Sequence, residues 1–138
     1  MKEENLKTVE SFLARSENIG DDILNDTQEM LGSMPYILPI LRERSEIFAL
    51  TALADERICR PLSLEPKTAE LVAIAGAAGL GAEHCLKVHI QAAIKEGATR
   101  DEIFDTIMIA ALIGKTRVLA TALREMDALL PKFSLEKN

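Results

Sequence analysis

The chain has 138 residues, a formal net charge of −6, and 48% hydrophobic but only 4% aromatic content. That length suits one domain with an aliphatic core, and Ala- and Leu-rich cores favour closely packed helices. The acidic balance, without clustered Lys and Arg or interleaved aromatic residues, argues against nucleic-acid binding.

The elements follow in chain order. Residues 3–18 read as a polar helix with Leu6, Val9, Phe12 and Leu13 on one face, broken by Gly20. Asp21 or Asp22 is placed to cap a short helix that ends at Gly32. Met34-Pro35-Tyr36-Ile37-Leu38-Pro39 reads as a turn into a helix running to about Ala54. Cys59-Arg60-Pro61-Leu62 reads as a connector. Pro66 fits the first turn of an alanine-rich helix to about Ala78, interrupted by Gly79 and Gly81. Residues 82–96 form the next helix, with Gly97 as a left-handed cap. Thr99-Arg100-Asp101-Glu102 matches a capping box, opening a helix that carries Ile103, Ile107, Ala110 and Ala111 inward. Gly114 punctuates it, and a last helix runs from about Lys115 to Leu130, where Pro131 stops it. The tail 132–138 reads as frayed. No stretch alternates with period two, so the fold class is all-α: a single-domain bundle of about six helices over residues 1–138.

The N-terminus lacks the apolar stretch of a signal peptide. The longest apolar run, Leu71 to Leu80, is about half of a membrane span. A soluble, cytoplasmic protein with no membrane or nucleic-acid partner is the expectation. Two cysteines, Cys59 and Cys85, are too few for a disulfide scaffold.

The chemistry concentrates in Glu83-His84-Cys85-Leu86-Lys87-Val88-His89. Cys85 and His89 sit four apart on one helical face. Cys85 also falls in the first turn, where unpaired N–H groups and the helix dipole favour an anion. Its row, with His89, Ala92, Ala93 and Glu96, borders the apolar row of Leu86, Ile90 and Ile94, at the edge of the stripe. Cys85 is therefore either a reactive thiol or a small buried hydrophobe. His89 is its base or a histidine that only hydrogen-bonds. His84 points about 100° away and either lines a pocket or is solvated. Glu70 is either a solvated glutamate near a helix start or a partly buried carboxylate that relays protons. A metal held by His84, Cys85, His89 and Glu70 is a weaker rival, since two of these side chains diverge and no HExxH or CxxC pair is present. No metal and no cofactor are expected. Cys59, in its loop, is an incidental thiol or a disulfide partner for Cys85.

Residues 62–114 resemble the carboxymuconolactone decarboxylase family, especially its alkyl hydroperoxide reductase D-like branch. The matching text is Glu70-Leu71-Val72-Ala73-Ile74-Ala75, then Cys85-Leu86-Lys87-Val88-His89, then Gly97-Ala98-Thr99-Arg100-Asp101-Glu102-Ile103, with Gly32-Ser33-Met34-Pro35 upstream. The resemblance implies that Glu70 is a proton-relay glutamate, Cys85 the second cysteine of a CxxC, and His89 the histidine that follows. His84 matches a histidine within the CxxC of some redox-active members. Ala82 stands where the first cysteine belongs, so the usual disulfide within the motif cannot form. An all-α fold assembled as a trimer, hexamer or similar homo-oligomer is also implied.

Three functions follow as expectations. The first is a thiol-dependent, peroxidase-like antioxidant enzyme, with a small peroxide as substrate and an external thiol as reductant. The second is a decarboxylase or isomerase of a small acidic lactone or keto acid, using Glu70 and His89 as acid and base. Its anchor for the substrate carboxylate would come from Arg42, Arg44, Arg57 or Arg60. The third is a non-enzymatic, redox-sensing or binding oligomer.

Overall fold

The computed structural model describes residues 1–130, apart from the Met30 side chain. Among them every regular element is helical: α1 Glu3–Leu13, α2 Ser16–Leu31, α3 Ile37–Arg42, α4 Ser45–Cys59, α5 Pro66–Leu80, α6 Glu83–Lys95 and α7 Arg100–Leu129. The all-α expectation holds. The chain divides into two compact units, with the boundary inside α5, directly after Glu70.

In the first unit, α2, α3 and α4 pack on one another. Its buried centre is Phe48 and Ala49 of α4, with Ser16 and Gly20 of α2. A Cβ on Gly20 would lie 2.8 Å from Arg42 Cδ and Nε and 3.3 Å from Phe48 Cδ1, so glycine is the residue that admits this approach. Arg42 then clasps α2: its Nε and Nη2 donate to Asp21 Oδ1 at 3.0 and 2.8 Å, and Nη2 donates to the Glu17 carbonyl at 2.9 Å. Gly20 therefore does not break a helix. The break falls earlier, at Ala14 and Arg15, and α2 starts at Ser16 without side-chain capping by Asp21 or Asp22. The helix expected to run on to Ala54 is split at Glu43 and Arg44.

In the second unit the core is small. Ile74 of α5, Ala93 of α6 and Ile103 of α7 form its buried cluster, ringed by Leu71, Leu86, Ile90, Ala98 and Ile107. The three elements meet through tight local signals. Gly81 (φ 66°) and Gly97 (φ 82°) take the left-handed conformation that glycine adopts without steric cost. Thr99 accepts from the Glu102 N–H at 3.2 Å while Glu102 accepts from the Thr99 N–H at 2.7 Å, completing the expected capping box.

Helix α7 departs from expectation. It passes through Gly114 unbroken, because one glycine costs a helix only about 1 kcal/mol relative to alanine. Of the four residues expected to point inward, Ile103 is buried, Ile107 and Ala110 are half-buried, and Ala111 is exposed. Being continuous, α7 is long and apolar enough to cross a membrane by length and composition, which the ten-residue run Leu71 to Leu80 is not. Pro131 and the tail lie outside the described residues.

Candidate functional site on helix α6

Ala82 is the residue before the first turn of α6, and no side chain caps that end. The Leu86 N–H makes the first helical bond, to the Ala82 carbonyl at 2.9 Å. Cys85 precedes it as the third helical residue, inside the turn whose N–H groups have no partner further back in the helix. Glu83 shares this turn and opposes the dipole's preference for a second anion at the sulfur.

The inward face of α6 is set by Leu86, Ile90 and Ala93, which pack on Ile74 and Ile103. Cys85 and His89 each precede one of these positions by one residue, so both stand on the adjacent row. Cys85 is exposed and not in a disulfide; His89 is half-buried. Their Cβ atoms, one helical turn apart, are about 5–6 Å from each other. His84 is exposed on a third side of the helix. Ile94, expected to extend the apolar row, is 59% exposed instead. Ala93 takes the inward place, with Ala98 packed against the same cluster and its N–H donating to the Ala93 carbonyl at 2.8 Å.

Glu70 lies one turn before the buried Ile74 on α5 and is half-buried. It belongs to the first unit, together with Cys59. Cys59 is the last residue of α4, not part of a loop. The residue is exposed, but crowding on one side of its sulfur desolvates it and pushes its thiol above the ordinary value. The Glu70 carboxylate and then Asp55 add to that rise, while Arg60 acts against it. The structure thus brings Glu70 within electrostatic reach of Cys59. Sequence reasoning missed this pairing, although the short connection 60–65 between two helices was the available signal.

Two of the four arginines considered as substrate anchors are already engaged. Arg42 holds α2, and Arg60 pairs with Glu56 at 3.5 Å. Among the described residues, no group of three or more His, Cys, Asp and Glu side chains is arranged to hold a metal ion.

No curated protein and no solved structure matches the chain. The model of the carboxymuconolactone decarboxylase family matches residues 46–128, more than half of the sequence, and spans all four residues singled out above. The match starts in α4 and ends one residue short of the end of α7, so it takes in α5 and α6 entire. On this match, the chain belongs to the carboxymuconolactone decarboxylase family.

Proposed function

We propose that this chain is a thiol-dependent, peroxidase-like enzyme of the alkyl hydroperoxide reductase D-like branch, with Cys85 as the nucleophile. The observation that carries the reading is the exposure of Cys85 in the first turn of α6, with a half-buried His89 one turn behind it on the same face. Exposure lets a peroxide reach the sulfur, and an imidazole at that distance can take its proton.

In the proposed cycle His89 accepts the proton of Cys85. The thiolate attacks one peroxide oxygen and the O–O bond breaks. Cys85 becomes a sulfenic acid, oxidised by two electrons, and the departing alkoxide takes its proton from the His89 imidazolium. An external thiol then attacks the sulfenic sulfur, releasing water and leaving a mixed disulfide, and a second thiol reduces that disulfide. The resemblance gives Glu70 the role of relaying protons for His89 and places His84 beside the reacting sulfur without a defined proton-transfer role. Cytoplasmic location fits the dependence on reduced thiols.

The test is peroxide consumption with dithiothreitol as reductant, comparing the parent chain with Cys85→Ser and Cys59→Ser. Loss of turnover in the first variant and its persistence in the second is the expected result. Turnover that survives Cys85→Ser refutes the thiol mechanism.

One observation favours a second reading. Ala82 removes the partner thiol, as a thiol-independent decarboxylase or isomerase would tolerate. That enzyme would use Glu70 and His89 on a small acidic lactone, with Arg44 or Arg57 as the anchor. Turnover of a lactone panel unaffected by alkylation of Cys85 would establish it.

A further inference from the structure

A sulfenic acid on Cys85 has few ways to be consumed within the chain, and the structure opposes both. The first is condensation with a neighbouring thiol. Ala82, at the head of the same turn, offers only a methyl group. The other cysteine, Cys59, belongs to the first unit, and its thiol is held protonated by crowding and by the Glu70 and Asp55 carboxylates. The second is condensation with a backbone nitrogen, that of the next residue lying closest to the sulfur. Here it is the Leu86 nitrogen, whose N–H makes the first helical bond of α6, to the Ala82 carbonyl at 2.9 Å. An S–N bond would take that hydrogen away and draw Leu86 from the cluster around Ile74.

What remains arrives from solvent, and the sulfur is open to it. Cys85 is exposed, no side chain caps α6, and a Cβ at Gly81 would meet open space. We propose that Cys85 is a peroxide-driven off switch: a second peroxide oxidises its sulfenic acid to a sulfinate whenever peroxide outcompetes the external thiol. This regulation rests on the peroxidase reading of Cys85.

The chemistry mirrors the first oxidation. His89 takes the sulfenic proton, and the sulfur attacks the terminal peroxide oxygen. An S–O bond forms, the O–O bond breaks, and the departing alkoxide takes the proton from the His89 imidazolium. Sulfur gives up two more electrons, the peroxide is reduced to an alcohol, and the sulfinic acid releases its proton to water. Thiols do not reverse a sulfinate, so each such event removes one molecule from the cycle. Both fates of the sulfenic acid are bimolecular. The number of turnovers completed per molecule inactivated is therefore proportional to thiol and inversely proportional to peroxide.

The experiment incubates the full parent chain with cumene hydroperoxide and dithiothreitol. Peroxide consumed is compared with Cys85 sulfinate, read by mass spectrometry as a gain of two oxygens on the peptide carrying it. Raising dithiothreitol about tenfold should raise the turnovers per sulfinate about tenfold, and raising peroxide by the same factor should lower them as much. Dimedone, which traps sulfenic acid, separates the two levels of inference. No dimedone adduct at Cys85 refutes the peroxidase reading and the switch with it. An adduct without sulfinate, even with peroxide present and thiol omitted, overturns the switch alone. So does a ratio that ignores peroxide concentration, a Cys59–Cys85 disulfide in place of the sulfinate, or a sulfenamide with the Leu86 nitrogen. Ala82→Cys puts a thiol back at the head of the turn and should divert the sulfenic acid into a disulfide, suppressing the sulfinate. A variant that forms this disulfide and still gathers sulfinate at the parent rate also overturns the switch.

Discussion

Replacing Ile74 by alanine tests whether the second unit is held by the cluster beneath α6. Ile74 is fully buried between Ala93 and Ile103. The change removes three carbons, about 2.4 kcal/mol at ~0.8 kcal/mol per buried methylene. A cavity term adds to this, up to about 2 kcal/mol where the surroundings cannot collapse. Here Leu71, Leu86 and Ile90 are half-buried at the rim and can lean inward, so the expected total is about 3 kcal/mol. With a urea slope near 2 kcal/mol/M, the unfolding midpoint should fall by about 1.5 M. The assay is urea unfolding followed by far-ultraviolet circular dichroism. Val72→Ala, 58% exposed on the same helix, serves as the control and should shift stability by no more than about 0.5 kcal/mol. The same variant carries a site readout: Leu86 and Ile90 lose their seat against Ile74, so Cys85 alkylation in the folded state should change rate. A shift under about 1 kcal/mol, matching the control, refutes the claim that this cluster positions α6.

Three further outcomes are expected. Gly20→Ala should drive Arg42 off Asp21 and Glu17 and cost about 1 kcal/mol, the exposure of Asp21 keeping the loss small; combined with Arg42→Ala the losses should be less than additive in a denaturant cycle. In a Cys85→Ser background, Glu70→Gln should speed Cys59 alkylation at fixed pH and move its pH midpoint down. The reason is that the Glu70 charge holds the Cys59 thiol high; an unchanged midpoint counts against that contact. His89→Ala should lower peroxide turnover by about 10²–10⁴-fold, with partial rescue as the pH is raised toward the thiol's own ionisation. A loss that is independent of pH would mean that His89 only packs.

What the sequence conveyed was local. The capping box at Thr99 and Glu102, the left-handed Gly97 and the Pro66 start all depend on residues within a few positions of one another, and all stand in the structure. The shared face of Cys85 and His89 is equally local, a consequence of helical spacing. What failed depended on distant partners. Gly20 looked like a breaker because its use, admitting Arg42, lies on another helix. Gly114 looked like a stop because nothing nearby reveals that a 30-residue helix will tolerate it. The approach of Glu70 to Cys59 is tertiary, and its one trace in the sequence was the short connection 60–65 between α4 and α5. Ile94 read as core by periodicity, yet its neighbour Ala93 holds the inward position on α6 and Ile94 stays 59% exposed.

The alanine at position 82 decides how a peroxidase of this kind would have to work. In the two-cysteine arrangement the resolving thiol lies on the same turn as the attacking one, and the sulfenic acid is consumed without waiting for a collision. With Ala82 as the N-cap of α6 that partner is gone, and the sulfur of Cys85 is open to solvent. Resolution then becomes bimolecular, so turnover at saturating peroxide should rise in proportion to external thiol. Cys59 is poorly suited to replace the missing cysteine in the same role. Its thiol is held protonated by crowding and by the Glu70 and Asp55 carboxylates, and attack on a sulfenic acid needs the thiolate. A turnover rate independent of external thiol, and abolished by Cys59→Ser, would reverse this assignment and make Cys59 the resolving residue. A linear dependence that persists in Cys59→Ser would leave Cys85 as the one protein thiol the cycle requires.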